Sequence, residues 1–140
     1  MRVAVDTNVL VAALRSPNGA SRVILQQLAQ QRFEAVASVA MMLEYEAVLK
    51  RPEHLEVFKL TLEEVEMFLN GLAKLVVPIT PFFLWRPMLK DPADEHVLEA
   101  AVNGFADAIV TFNLNDFGPA QRFGLEVIRP NLFLQRIRNG

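Results

Sequence analysis

Arg2-Val3-Ala4-Val5-Asp6-Thr7-Asn8 passes from apolar to polar within a few residues. The β-branched, short-chain run before Asp6 reads as a buried strand, and the carboxylate ends it. Asn8-Val9-Leu10-Val11-Ala12-Ala13-Leu14 follows, apolar nearly all round, and reads as a helix. A strand feeding straight into a helix is the unit from which parallel sheets are built.

The same alternation continues along the chain. Ser16-Pro17-Asn18-Gly19 breaks the first helix, and a second is expected over Ala20–Gln31. A short strand at Glu34–Ala37 is followed by Ser38 as N-cap of a helix over Val39–Lys50, closed by Arg51-Pro52. Thr61-Leu62-Glu63-Glu64 has the spacing of a capping box, opening a helix to about Lys74. Leu75–Ile79 reads as an edge strand, because Pro78 cannot donate a ladder hydrogen bond. Pro81–Lys90, with Trp85 among further prolines, reads as an ordered loop. Asp91-Pro92 starts a helix that ends before Gly104, and Ala108–Thr111 is a strand. Phe117-Gly118-Pro119 reads as a turn, Glu126–Ile128 as a last strand, and Pro130 opens a closing helix to Arg138. The expected fold is therefore α/β, with a mostly parallel sheet covered on both faces. Sites in such sheets lie beyond the carboxyl ends of the strands. Asp6 and the segment from Thr111 to Asp116 leave their strands at that rim.

At 140 residues the chain is sized for one domain whose core needs no staple. With no cysteine, zinc ribbons, iron–sulfur clusters, thiol catalysis and disulfide frameworks are excluded. The 52% hydrophobic content argues against disorder. No apolar run approaches the ~18 residues of a membrane span. Asp6 and Asn8 also interrupt the only stretch resembling a signal peptide, so a cytoplasmic protein is expected. The balance of 14 basic against 16 acidic residues lacks the basic excess of many nucleic-acid binders.

The acids themselves are more informative. On the helix over Val39–Lys50, Glu46 and Lys50 form an i,i+4 pair that marks the solvent side. Glu44 falls nearly opposite, among Ala40, Ala47 and Val48. On the helix after Pro92, Asp94 heads a stripe of Leu98, Ala101 and Phe105 reinforced by Val97, while Glu95, His96, Glu99 and Asn103 form the solvated face. Each inward acid has a local explanation: Asp94 as partner of Asp91 in a helix cap, Glu44 paired with a core arginine, Asp6 as a simple N-cap. Taken together they are acids without a basic partner on their own elements. Buried carboxylates must be paired, hydrogen-bonded or bound to a cation. With oxygen ligands only, a hard ion such as Mg²⁺ or Mn²⁺ suits them, and the chemistry suggested is metal-assisted phosphodiester hydrolysis.

Val3-Ala4-Val5-Asp6-Thr7-Asn8, Glu44-Tyr45, Asp91-Pro92-Ala93-Asp94 and Ile109-Val110-Thr111-Phe112-Asn113 with Asp116-Phe117 resemble, in order and spacing, the PIN domain over essentially the whole chain, residues 1–140. The resemblance is greatest to the branch described as toxin components of bacterial toxin–antitoxin systems, relatives of VapC-like ribonucleases. It implies a three-layer α/β/α sandwich in which carboxylates bind Mg²⁺ or Mn²⁺ and RNA is cleaved. Asp6, Glu44 and Asp94 match the first three acids of the family's constellation. Where many members carry Asp this chain has Asn113, and Asp116 matches the acid that other members use or add. The resemblance thus implies Asp6, Glu44, Asp94 and Asp116 as catalytic metal ligands, with Asn113 a hydrogen-bonding substitute, and leaves open whether one ion or two are held. Thr7, Asn8 and Thr111 are expected to orient Asp6 or bound water. An antitoxin protein and a second copy of the chain are the expected partners, with the N-terminal helices and Met67-Phe68-Leu69 as apolar surfaces.

Other residues have plainer expectations. Asp91 is an N-cap, and Asp107 lies at the far end of its strand. His54 and His96 are solvated, Tyr45 and Trp85 belong to core or interface, and Arg15, Arg22, Lys50, Arg51, Arg86 and Lys90 are ordinary surface charges unless they cluster. Two other functions compete. A haloacid-dehalogenase-like phosphatase also places Asp after its first strand, but needs a second acid where this chain has Asn8. A degenerate PIN domain that binds RNA or protein without cutting is motivated by Asn113.

Overall fold

A computed structural model describes residues 1–81 and 89–139. Five strands, β1 (Arg2–Val5), β2 (Glu34–Ala37), β3 (Val77–Pro78), β4 (Ala108–Val110) and β5 (Glu126–Ile128), form one sheet in the order β3-β2-β1-β4-β5. Every pairing is parallel. The chain winds outward from β1 through β2 to β3, then returns to the other side of β1 for β4 and β5. The direction of winding therefore reverses between β1 and β4, where a crevice opens at the carboxyl ends.

Among the described residues seven α-helices flank the sheet: α1 (Thr7–Arg15), α2 (Ala20–Ala29), α3 (Val39–Leu49), α4 (Pro52–Phe58), α5 (Leu62–Leu75), α6 (Pro92–Asn103) and α7 (Pro130–Asn139). α6 lies across β1, β2 and β4, and α2 packs between α1 and α7. Phe33 and Phe133 meet edge to face with centroids 5.0 Å apart. Val3, Ala4, Ile109 and Val110 are fully shielded, as expected for a parallel sheet covered on both faces.

The predicted caps are present. Ser38 Oγ accepts the Met41 N–H, and Thr61 and Glu64 exchange both capping-box bonds at 3.1 Å. Asp91 accepts the Ala93 N–H before Pro92. Four expectations change. Arg51-Pro52 does end α3, but Pro52 also begins α4, which the sequence reading omitted; proline at the first helical position lacks only an N–H that would be unpaired anyway. The edge strand is shorter than Leu75–Ile79, because Leu75 still belongs to α5 and only Val77–Pro78 pair as strand. Leu114–Phe123 is a 3-10 run broken at Phe117 rather than a turn at 117–119. Phe105 leaves the α6 stripe: the helix ends at Asn103, and Phe105 is 86% exposed in a left-handed conformation. The expectation of an ordered loop around Trp85 and Arg86 falls on residues 82–88, outside the described residues.

Gly104 shows how closely α6 is seated. A Cβ there would lie 2.8 Å from the Ala100 carbonyl oxygen, 3.0 Å from Val36 Cγ1 and 3.1 Å from Ile79 Cδ1. Gly104→Ala is expected to destabilise the fold by about 1–3 kcal/mol, through overpacking rather than backbone strain. A thermal melt checks this, and an unchanged midpoint would refute the close packing of α6 on β2.

Candidate functional site

Because β1 and β4 are adjacent and in register, Asp6 and Thr111 emerge side by side. Asp6 N–H donates to the Val110 carbonyl and Thr111 N–H to the Ile128 carbonyl, so both residues leave the sheet with their backbones still anchored. Asp6 caps α1, its Oδ1 accepting the Thr7 N–H at 2.8 Å. Its Oδ2 accepts the hydroxyl proton of the fully buried Thr111 at 2.7 Å. Thr111 Oγ1 in turn accepts the Asn113 N–H at 3.0 Å and an Asn8 amide N–H at 3.4 Å, while Asn8 Oδ1 accepts the Phe112 N–H. The Thr111 hydroxyl is therefore oriented as a donor to Asp6. Thr7 holds the carboxylate through its backbone, and Asn8 acts one step removed, through Thr111. Tyr45 is core: its hydroxyl donates to the Val5 carbonyl, tying α3 to the end of β1.

Around this anchored carboxylate lies a cleft of ≈ 340 Å³. Glu44 enters it from α3, Asp94 from the first turn of α6, Asp91 from the cap of that helix, and Asn113 and Asp116 from the segment after β4. The structure thus brings Asp6, Glu44, Asp94 and Asp116 to one cavity, together with Thr7, Asn8 and Asn113. Among the described residues, no lysine or arginine lines it. Burial chiefly raises the Asp94 pKa from 3.8 to about 7, and the charges of Asp6, Asp91, Asp116 and Glu44 add to the shift. Burial also raises the Asp6 pKa; its hydrogen bonds to Thr111 and Thr7 oppose the shift, and Asp116 and Asp91 reinforce it.

The donor set fits a hard divalent cation: the acids supply oxygens and negative charge, and no lysine or arginine among the described residues lines the cleft to offset it. Among the described residues, no three acidic or histidine side chains form a ready-made coordination shell.

Several residues sit elsewhere than the helical pattern suggests. Glu95 is not on a solvated face: it is 8% exposed, and its carboxylate accepts the Leu89 N–H, tying the start of α6 to the preceding segment. His54 is half-buried on α4, its Nδ1 donating to the Val48 carbonyl at 2.8 Å and its ring stacked on Phe58, and it lines the acidic cleft. Its placement was hidden because α4 itself was missed. Asp91 both caps α6 and borders the cleft. Asp107 lies at the opposite end of the sheet, accepting the Arg2 N–H. Arg22 donates to the Ala13 carbonyl, and Lys50 pairs with Glu66 and Glu46. Lys90 instead lines a neighbouring cleft of ≈ 520 Å³ with Asp91, Asp94, Asn115 and Asp116.

A family profile described as the PIN domain matches residues 2–115. No curated protein sequence matches the chain. Among solved structures, VapBC2 from Rickettsia felis, crystallised bound to a DNA fragment from its promoter, is similar with a TM-score of 0.61. The likeness covers 92% of this chain and 98% of that one, at 17% identity, which speaks to the fold.

Proposed function

The chain belongs to the PIN domain family, and on that premise we propose that it is a metal-dependent endoribonuclease that hydrolyses RNA phosphodiester bonds, the toxin of a bacterial type II toxin–antitoxin module. The observation that carries this reading is the convergence of Asp6, Glu44, Asp94 and Asp116 on one cleft at the reversal point of the sheet, without a basic side chain among them. These four residues would hold Mg²⁺ or Mn²⁺. The chemistry such an ion supplies when bound is charge neutralisation at the phosphodiester and a lowered pKa for the attacking water.

The protein's own residues do the positioning. Thr7 and Thr111 occupy one lone pair on each Asp6 oxygen and fix the direction in which the remaining ones face. Asn113 contributes a neutral amide at the rim, so the negative charge of the cleft rests on the acids around it. Asp94, whose pKa burial and the neighbouring acids raise to about 7, would release its proton to serve as a ligand to such an ion. Asn8 is engaged with Thr111 and Phe112 and supplies no second acid, which removes the basis for phosphoaspartate chemistry.

The partner reading draws on the solved neighbour, whose name denotes a VapBC complex. An antitoxin partner is carried over to this chain on that basis. The apolar surface available to an antitoxin or to a second copy in a homodimer differs from the expected one. Phe68 and Leu69 are turned inward, as are Val9, Leu10, Ala13 and Leu14 of α1, whereas Met67, Val39 and Leu43 are 72%, 76% and 61% exposed. Among the described residues no helix is long and apolar enough to cross a membrane, compatible with action on RNA in the cytoplasm.

The test is cleavage of single-stranded RNA by the purified chain with Mg²⁺ or Mn²⁺, against the same reaction in EDTA. Metal-dependent cutting supports the reading, and absence of cutting with either ion replaces it with the binding-module alternative. Thr111→Val, which removes the donor to Asp6 Oδ2 without changing side-chain shape, is expected to lower cleavage about 10–100-fold at saturating metal. Unchanged kcat would show that the orientation of Asp6 does not matter.

A further inference from the structure

An acidic cleft repels the phosphates on either side of a scissile bond, so a strand lying across it needs favourable contacts beside the acids. Such contacts are present on the flank formed by β4 and β5. Phe112 directly follows Thr111 at the rim of the sheet and is 41% exposed, which leaves part of its ring open to a ligand. Arg129 directly follows β5, the strand paired with β4, and is exposed. Its guanidinium has no hydrogen bond or ion pair among the described residues. Phe112, Arg129, Asn113, Asn115 and Asp116 line one cleft of ≈ 420 Å³, and Asn113 and Asp116 also line the carboxylate cleft. The two cavities therefore share these residues in their walls.

The geometry points to a nucleotide-binding subsite in which Phe112 stacks on an unpaired base and Arg129 holds the adjoining phosphate of a single-stranded RNA whose next linkage enters the acidic cleft. This assignment rests on the ribonuclease reading for its substrate class. An aromatic face accepts any base, and an arginine adds charge and planar hydrogen bonding to a phosphate. Asn113 and Asn115 add amide groups that contact sugar or base edges without adding negative charge. Lys90, which lines the neighbouring cleft with Asp116, provides a second cation for the strand leaving the site. Cations thus flank the acids instead of neutralising them, which keeps the carboxylates free for their own cation while the substrate is held from outside.

The experiment measures binding of a fluorescein-labelled, mixed-sequence 12-nucleotide single-stranded RNA by fluorescence polarisation in Mg²⁺, with the Asp6→Asn chain as parent so that the probe is not consumed. Adding Phe112→Ala is expected to raise Kd about tenfold, and Phe112→Trp to preserve affinity. Adding Arg129→Gln is expected to weaken binding and to flatten the dependence of log Kd on log salt by roughly 0.7, the contribution of one phosphate on a single strand. The subsite is overturned if the parent does not bind the probe, or if Phe112→Ala and Arg129→Gln both bind as the parent does, in which case Phe112 is left for a protein partner. Wild-type cleavage is scored separately. If the wild type cuts RNA while both variants bind normally, the subsite falls and the nuclease reading stands; if the wild type never cuts but Phe112→Ala still loses tenfold, the reverse holds.

Discussion

Asp6→Asn is expected to lower metal-dependent RNA cleavage by at least about a thousandfold, roughly 4 kcal/mol of barrier, while the protein stays folded. Activity and stability should separate because the two depend on different properties of the same side chain. The asparagine has nearly the shape of the aspartate and keeps an oxygen for the Thr7 N–H that caps α1. What disappears is the negative charge on a side chain that is 8% exposed and whose ionisation burial already opposes. Without added metal, then, the variant should melt at or above the wild-type temperature at neutral pH, the trade commonly found where a site is strained for function. One local cost limits this gain. The asparagine amide would face Thr111 Oγ1, which already accepts from Asn113 and Asn8, so the Thr111 hydroxyl loses its acceptor. The measurement is a paired one, cleavage rate in Mn²⁺ and thermal midpoint in EDTA. Retained cleavage would remove Asp6 from the reaction, and a collapsed midpoint would show that the charge is needed to fold.

Much of this candidate site is legible in the sequence, because the relevant signals are local. β1, β2 and β5 begin and end where short apolar runs meet a charge, a serine or a proline. Asp6 stands out because it ends a strand, Glu44 because helical periodicity turns it away from Glu46, and Asp94 because it heads the apolar stripe of its helix. Their convergence could be inferred only from the alternation of strands and helices, which places the carboxyl ends of β1 and β4 together. The omissions have the opposite character. α4 is a short helix immediately after a helix terminator, and the same Pro52 serves as stop and start. His54 was lost with it. Glu95 looks solvent-facing on a helical wheel, which carries no information about the segment at Leu89 that covers it. Phe112 and Arg129 are separated in sequence and meet only because β4 pairs with β5.

The second large effect concerns stability, pH and metal together. Asp94 is held at about 7 against an ordinary 3.8, chiefly by burial and then by the charges of Asp6, Asp91, Asp116 and Glu44. Between about pH 4 and about pH 7 the folded chain therefore keeps a proton that the unfolded chain has released, and stability falls as pH rises through that window. Because Asp94 is partly open to solvent, the loss is discounted to about 1–2 kcal/mol. The raised Asp6 pKa acts in the same direction. Glu126, whose pKa is lowered by its hydrogen bond to Arg136, acts in the opposite one, losing stabilisation as pH falls below the ordinary glutamate range. The diagnostic quantity is accordingly the difference between wild type and Asp94→Asn, which cancels contributions from elsewhere. In EDTA that difference should grow in favour of the variant from about pH 4 to about pH 7 and then level off. Mg²⁺ or Mn²⁺ at neutral pH should reverse it. A cation bound to the ionised carboxylates stabilises the folded chain by about 2.7 kcal/mol at a hundredfold excess over its dissociation constant, and Asp94→Asn should blunt that gain. Thermal melts across pH, with and without the ion, provide both readouts. A difference curve that stays flat in EDTA would refute the electrostatic account of Asp94, whereas an equal metal-induced rise in both proteins would place the cation away from it.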